Sequence, residues 1–409
     1  MIGAGIFVLP AQLAPFGWTG LVAWGFAIPG ALLLAYILSR LAAARPDATG
    51  AVAIVGEALG PLPGLLVGWS YWVGICSANA ILALTAVRYG ASFAPALTAS
   101  PLAAALGATT LIWAVTALNL GGAKSAGRFQ VLTTLLKLLP LVAVVIILAG
   151  LAFAQNGQFT AVSHPPFVAR DLSTAMTLCF SALIGFEAAS LAAERLRDPA
   201  RNVMRATLYG TALTGLLYVI ICNGIIFALP ESAVAASDAP IAFFVQNFWG
   251  YGASLSVSAF ASIAAIGCLN GWTLMQGEVP FGMARSGLMP TFLARTSDRD
   301  VPTTAMLISS VFVSILILSG AVPGITNILT FMLQLTTAAT VWLYVGACVA
   351  ALVIGVARPA SAVGLGFALW LLWGSGLYAL GLSIVLMLTA LPLYWLRPRV
   401  TLTLPDPSS

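Results

Sequence analysis

Long apolar runs separated by short polar connections make up most of this chain. A helix needs about 20 predominantly apolar residues to cross the hydrocarbon core of a bilayer. The pattern therefore predicts an all-α polytopic membrane protein of about twelve spans, the first of them incomplete. The eleven complete spans are predicted at residues 18–38, 63–87, 102–120, 131–154, 172–193, 206–229, 255–283, 304–318, 325–353, 362–378 and 380–396.

Two of the apolar runs are interrupted by glycine, at Gly3-Ala-Gly5 and at Gly185. Freed backbone groups are tolerated in a membrane only where they line an enclosed cavity or bind something. A matched pair of breaks in the two halves of a chain indicates a substrate site between inverted repeats. Amide groups at one broken end suit a carboxylate, and carbonyl groups at the other suit an ammonium group.

The domain organisation follows from these breaks. We expect one transmembrane domain over residues 1–409, with a first repeat at 1–154, a second at 172–355 and two additional helices at 360–398. The chain opens inside the first break, so we expect a missing first half-helix, either from a start assigned too late or in a truncated relative. The short segment 50–63 is predicted as an interfacial helix with Glu57 toward water.

Composition agrees with a membrane protein, with 60% hydrophobic and 7% charged residues and a mean hydropathy of +1.02. The net charge of +5 reflects topology rather than nucleic-acid binding, because the basic residues fall mainly on one side of the spans. That side is predicted to be cytoplasmic, together with the C-terminus, in a bacterial inner membrane. Its basic residues are Arg40, Arg45, Lys124, Arg128, Arg195, Arg197, Arg201, Arg205, Arg285, Arg295, Arg299, Arg358, Arg397 and Arg399, whereas only Arg88 and Arg170 lie on the other side.

Three polar or aromatic side chains within the spans are candidates for function. Glu187 is the acid that we place well inside a span, where a carboxyl normally serves a proton relay, a counter-charge or a gate, or is a hydrogen-bonded neutral acid. Trp272 follows Gly271, and its ring could cap a cation or simply pack. Asn79 could contact a substrate or bond across helices.

These residues resemble the amino acid, polyamine and organocation transporter superfamily, and within it the basic amino acid/polyamine antiporters of the arginine/agmatine type. The resemblance covers residues 1–353. Its motifs are Gly3-Ala-Gly-Ile-Phe-Val-Leu-Pro10, Ile184-Gly-Phe-Glu187, Asp198-Pro-Ala-Arg-Asn-Val203, Gly267-Cys-Leu-Asn-Gly-Trp-Thr-Leu274 and Ala284-Arg-Ser-Gly-Leu-Met-Pro290.

The resemblance implies a LeuT-like fold of two inverted five-helix repeats that works by alternating access, and a homodimer. It also implies roles for single residues. Ala4 and Gly5 bind the substrate carboxylate, whereas carbonyl groups near Ser181 and Ile184 bind its amino group. Asn79 contacts the substrate, Glu187 is a proton-sensitive gate, and Trp272 is a gate over the substrate.

Two departures weaken arginine specificity. Ser181 stands where the arginine antiporters carry a tryptophan that stacks on the guanidinium group, and Phe180 points about 100° away around the helix. Ala4 replaces a serine. The expected function is an antiporter that exchanges an amino acid, preferably a basic one, for a related amine or amino acid. A neutral amino acid exporter or a proton-coupled permease of the same superfamily is the alternative.

Other classes of function find little support in the residues. An intramembrane enzyme needs paired acids, an activated nucleophile or a metal cluster, and the one histidine, His164, has no second ligand or base near it in sequence. A channel would need a filter repeat or a charge ring. The five cysteines fall in spans without metal-ligand spacing. We expect no cofactor and no metal, with membrane lipids and a small substrate as partners.

Overall fold

A computed structural model gives the architecture of the chain. It describes residues 5–45, 48, 50–122, 133, 136–153, 164–187, 199–297, 301–321 and 328–396, with the backbone alone at 199–203 and 328–330. Ala4 and the start of the Asp198–Val203 motif lie outside these ranges. Helices form almost all of the described part, in which there is no β-strand.

The first half of the chain contains six described helices. The short helix α1 is followed, after a single 3₁₀ turn, by the long helix α2, and the short helix α3 precedes the long helix α4. The bounds are α1 Gly5–Leu13, α2 Gly17–Ala44, α3 Ala51–Leu59, α4 Pro61–Gly90, α5 Pro101–Leu120 and α6 Leu138–Phe153.

The second half begins with a helix that stops early. Helix α7 covers Leu172–Leu183 and is followed by an irregular turn, at the break that the sequence predicts at Gly185 within the span 172–193. The remaining bounds are α8 Pro199–Ala228, α9 Glu231–Ala235, α10 Pro240–Trp249, α11 Tyr251–Arg285, α12 Thr303–Ser319, α13 Ile328–Ile354, α14 Arg358–Gly374, α15 Leu377–Leu388 and α16 Leu391–Leu396.

The prediction of an all-α polytopic membrane protein is confirmed. Seven helical stretches among the described residues are long and apolar enough to cross a membrane, and α6 and α12 are shorter apolar helices. Every predicted span overlaps a described helix. The last one lies within the membrane-spanning stretch Leu377–Leu396, in which a turn at Thr389 and Ala390 separates α15 from α16. The preceding span ends at Gly374, before Gly376 with a φ of 85°.

Helix α4 lies at the centre of the bundle, with its most extensive packing against α11 and α13. Buried side chains follow almost all of its length, from Leu65 to Tyr89. Near its C-terminal end, the Tyr89 hydroxyl donates to the Phe7 carbonyl of α1 at 2.7 Å. The central helix is therefore in contact with both halves of the chain.

Helix α3 occupies the predicted interfacial segment, and Glu57 is exposed as expected. The helix is more than a surface element, because Ile54 and Val55 are buried against α4 and α13. Two glycines permit this approach: a methyl group added to Gly64 of α4 would lie 2.6 Å from the Gly56 Cα. Small residues allow this kind of close backbone contact between membrane helices.

Substitution of Gly64 by alanine tests this close approach. The added methyl group would overlap the α3 backbone, and overpacking of this kind costs about 1–3 kcal/mol. We expect Gly64→Ala to lower the thermal unfolding midpoint of the purified protein in detergent. Gly366→Ala is the matched control, because nothing lies within 4 Å of a methyl group at that helical position. An equal response of the two variants would contradict the contact.

Candidate functional site

In the folded chain, Gly5 of the first predicted break lies against the helix that ends at the second. Gly5, the first described residue of α1, packs against Ala182 in the last turn of α7, and a methyl group added to Gly5 would lie 3.2 Å from the Ala182 Cα. Helix α1 also packs on α8. Residues that are about 180 positions apart in sequence thus lie in direct contact.

The second break has a defined backbone geometry. Helix α7 ends because Ile184 adopts an extended conformation, with φ −55° and ψ 140°. Gly185 then takes a φ of 119°, in the region that favours glycine. The last four carbonyl groups of a helix lack intrahelical partners, so the end of α7 presents acceptor groups at this break.

Glu187 holds the turn in place through its carboxyl group. The Gly185 amide donates to Glu187 Oε2 at 2.9 Å, which closes the turn on itself. The Tyr344 hydroxyl of α13 donates to Oε2 at 2.8 Å, and the Tyr71 hydroxyl of α4 donates to Oε1 at 3.2 Å. We call Tyr71, Glu187 and Tyr344 the Glu187 clasp.

The Glu187 clasp is buried, with Glu187 only 3% exposed. A buried carboxyl is costly unless several donors satisfy it. Here the donors come from the break itself and from two helices that pack extensively on each other, α4 and α13. The clasp therefore links the conformation of the break to the packing of the central helices, and unwinding of one would disturb the other.

Ser181 and Phe180 lie on different faces of α7, as predicted. Phe180 is fully buried and packs edge-on against Phe186, Tyr344 and Phe367. Ser181 is half-buried, and its hydroxyl donates to the Leu178 carbonyl at 2.6 Å. The Phe180 ring is therefore packed in the core. It does not lie beside Ser181 on the face of α7 that Ser181 occupies.

Asn79 bonds across helices. Its Nδ2 donates to Gln276 Oε1 of α11 at 2.6 Å, and its Oδ1 is buried with no partner in the described part of the chain. Gln276 in turn donates to Ser310 of α12 at 2.9 Å. The hydrogen bond across helices, one of the two roles that the sequence allows for Asn79, is therefore present. The acceptor Oδ1 of Asn79 remains unused.

Trp272 lies on α11, one helical turn before Gln276, and is half-buried against the core. The described structure gives Trp272 no hydrogen bond to Asn79 or Glu187. A second acid, Glu278, also lies within α11 and is half-buried. Glu278 is not among the residues predicted from the sequence, although its position inside an apolar run is visible there.

Lys137 was also overlooked as a site residue. It lies just before α6 and is only 9% exposed. Among the described residues, Lys137 and Glu187 are the charged side chains in the buried class. An ionisable residue inside a span normally marks a functional site, so its position within the run 131–154 was the available signal.

The cysteines and the histidine lie in buried or apolar surroundings. The five cysteines are all buried and free. His164 packs edge-on against Phe227, with ring centroids 4.9 Å apart. Its nearest described ring partner is therefore an apolar side chain.

The family model for amino acid permeases matches residues 1–402. The chain belongs to the amino acid permease family. Among its relatives, the cadaverine/lysine antiporter of Escherichia coli K12 is 29% identical over 76% of this chain and 70% of the relative. The putrescine transporter PotE of Haemophilus influenzae is 26% identical over 83% and 78% of the two chains. A putative arginine/ornithine antiporter of Escherichia coli K12 is 30% identical over 98% and 90%.

These matches confirm the resemblance to amino acid, polyamine and organocation transporters. The family and these relatives carry transporter names rather than enzyme names. The permease contains a helix break that a buried acid holds, and Gly5 of the first predicted break lies against the helix that ends there.

Removal of one donor from the Glu187 clasp tests its structural contribution. Tyr344→Phe deletes the hydroxyl that donates to Glu187 Oε2. Because an intramolecular hydrogen bond contributes about 0.5–1.5 kcal/mol, we expect a lower thermal unfolding midpoint in detergent. Tyr378→Phe is the control, since Tyr378 is 77% exposed. If both variants unfolded at the wild-type temperature, the clasp would not stabilise the fold.

Proposed function

We propose that this permease is a secondary antiporter that exchanges a basic amino acid for a related amine or amino acid by alternating access. The observation that carries the proposal is the contact between Gly5 and Ala182, which puts Gly5 of the first predicted break against the end of α7, where the chain turns beside the buried Glu187. The names of the relatives support the same substrate class, because lysine, arginine, ornithine, cadaverine and putrescine are all cationic amines.

In this proposal the backbone recognises the common part of an amino acid. The amide groups at Ala4 and Gly5, at the start of α1, bind the α-carboxylate, and carbonyl groups near Ser181 and Ile184 bind the α-ammonium group. Opposite charges at opposite helix ends suit these groups. The extended conformation of Ile184 supports this assignment, because it leaves the carbonyl groups of the last turn of α7 without helical partners.

Asn79 and Trp272 contact the substrate side chain in this proposal. The unpaired Oδ1 of Asn79 supports a contact with a donor group. The Trp272 ring supplies cation–π attraction, which is worth about 0.5–2 kcal/mol. Glu187 acts as gate and proton-sensitive group, because protonation changes the charge that the two tyrosines and the Gly185 amide stabilise.

A neutral amino acid exporter or proton-coupled permease is the second candidate. The observation in its favour is the commitment of Phe180 to the core, which leaves no aromatic ring from α7 beside Ser181. A large cationic side chain would lose that stacking surface there.

The proposal includes the arrangement of the chain in the membrane. Two inverted repeats, at 1–154 and 172–355, are followed by two helices at 360–398. The chain spans a bacterial inner membrane, and its basic loops and C-terminus lie on the cytoplasmic side, as the distribution of Lys and Arg supports. A homodimer surrounded by lipid is the proposed assembly, and the chain has no enzymatic activity of its own.

Counterflow in proteoliposomes tests the exchange. We expect labelled L-lysine to accumulate when the vesicles contain lysine, ornithine, arginine, cadaverine or putrescine, and not when they are empty. Vesicles loaded with leucine or methionine are the matched comparison. Accumulation of labelled leucine driven by internal leucine, without exchange of the cationic substrates, would establish the neutral carrier instead.

The pH profile of uptake tests the role of Glu187. An amide keeps the shape of the side chain but cannot titrate, so Glu187→Gln should flatten the pH dependence of lysine counterflow. Glu57→Gln is the control, since Glu57 is exposed on α3, away from the break. A profile that is unchanged in Glu187→Gln would remove this acid from the proton-sensitive step.

A further inference from the structure

A chain of hydrogen-bonded polar side chains crosses the interface of four helices. It links Asn79 of α4, Gln276 of α11, Ser310 of α12 and Thr116 of α5, and all four are buried. The Asn79–Gln276 bond measures 2.6 Å, the Gln276–Ser310 bond 2.9 Å and the Ser310–Thr116 bond 2.8 Å. We call these residues the Gln276 chain.

The directions of these bonds determine what Asn79 can offer. Gln276 donates through Nε2 to the Ser310 hydroxyl, so its Oε1 faces Asn79 and accepts from Asn79 Nδ2. The amide group of Asn79 is thereby turned so that its oxygen points away from Gln276. That oxygen, Oδ1, is buried and has no hydrogen-bond partner in the described part of the chain.

We propose that Gln276 is a positioning residue for substrate selectivity, because it orients Asn79 to present an acceptor oxygen to a cationic nitrogen of the substrate side chain. The inference rests on the proposed function, in which Asn79 contacts that side chain. An acceptor in this position favours an ammonium or guanidinium group, which only donates, over an apolar side chain, which cannot bond at all.

A buried acceptor without a partner costs free energy, because buried polar atoms are normally paired. Among the described residues, Asn119 Oδ1 and Asn223 Oδ1 share this state with Asn79 Oδ1. The unpaired oxygen alone therefore does not mark a ligand contact. Asn79 differs from Asn223 because a side-chain amide from another helix, that of Gln276, fixes its orientation.

Gln276 also lies close to the other proposed side-chain contact. Trp272 precedes it by four residues on α11, and residues at this spacing lie on the same face of a helix. The two residues that we assign to the substrate side chain are thus connected through one glutamine, Asn79 by a hydrogen bond and Trp272 by the helix itself.

The helices are held together by a second, independent connection. Trp72 Nε1 of α4 donates to the Ser309 hydroxyl at 2.8 Å, and Ser309 donates to the backbone carbonyl of Gln276 at 2.8 Å. This connection does not use the Gln276 side chain. Loss of the side-chain amide should therefore leave α4, α11 and α12 packed, which makes the proposal testable in a folded protein.

The test is a double-mutant cycle on substrate binding. Binding of labelled L-lysine to the purified full chain in detergent is measured for wild type, Gln276→Met, Asn79→Ala and the double variant. Methionine keeps the length of the side chain but cannot hold the Asn79 amide. We expect Gln276→Met to weaken lysine binding by about tenfold, the usual effect of losing a hydrogen bond to a charged group. In the Asn79→Ala background the same change should have little effect.

Two neighbouring serines give a matched pair of milder variants. Ser310→Ala removes the acceptor that holds the Gln276 amide, and it should weaken lysine binding in the same direction and only when Asn79 is present. Ser309→Ala removes the parallel connection and should leave lysine affinity unchanged. Thermal unfolding of every variant is followed to establish that each protein is folded.

The outcomes separate this inference from the proposed function. If wild type binds lysine but the effects of Gln276→Met and Asn79→Ala simply add, Gln276 does not act through Asn79 and the inference fails. An equal loss of lysine affinity in Ser309→Ala and Ser310→Ala would also overturn it, because both would then act through general packing. If wild type binds leucine and not lysine, the proposed substrate class fails, and the inference fails with it.

Discussion

The need to satisfy backbone groups inside a membrane governs this structure. A helix that stops at Leu183 leaves carbonyl and amide groups in a region where water cannot pair with them. The Glu187 carboxyl bonds to the Gly185 amide and is itself held by hydroxyl groups from α4 and α13. The carboxyl group that satisfies the backbone of this turn therefore also connects the turn to α4 and α13.

Helix α4 carries two polar systems on its length. Tyr71 belongs to the Glu187 clasp, and Asn79 belongs to the Gln276 chain, eight residues or roughly 12 Å further along the helix. The first system is rich in donors to a single acid, whereas the second leaves an acceptor unused. This difference suits a division of roles, in which one system holds the break and the other is completed by a substrate.

The substrate preference depends on how these groups combine. The relatives that carry names of cationic amine transporters favour a basic substrate, and the unused Asn79 oxygen agrees with a donor group. The α7 side of the break offers the small hydroxyl of Ser181 because Phe180 packs with Tyr344 and Phe367. Recognition of a cation would therefore rely on Trp272 and Asn79 more than on stacking against α7.

The sequence alone determined the class of the fold and the place of its breaks. Apolar runs of membrane-spanning length predict helices because no other local structure satisfies their backbone, and Gly185 marks a turn that needs a positive φ. Glu187 was visible for the same reason, as an acid in an apolar run. Helix ends were less certain, as the turn at Thr389 shows, since capping depends on contacts that composition does not record.

Only the tertiary structure decided which residues meet. No periodicity connects Gly5 with Ala182, or Asn79 with Gln276, because these pairs lie about 180 and 200 positions apart and meet through packing of separate helices. The sequence could name Asn79 as polar and buried but could not say which end of its amide was free. The hydrogen-bond partners at the helix interface determine which end of the amide is free. The free end in turn determines the kind of group that the site can accept.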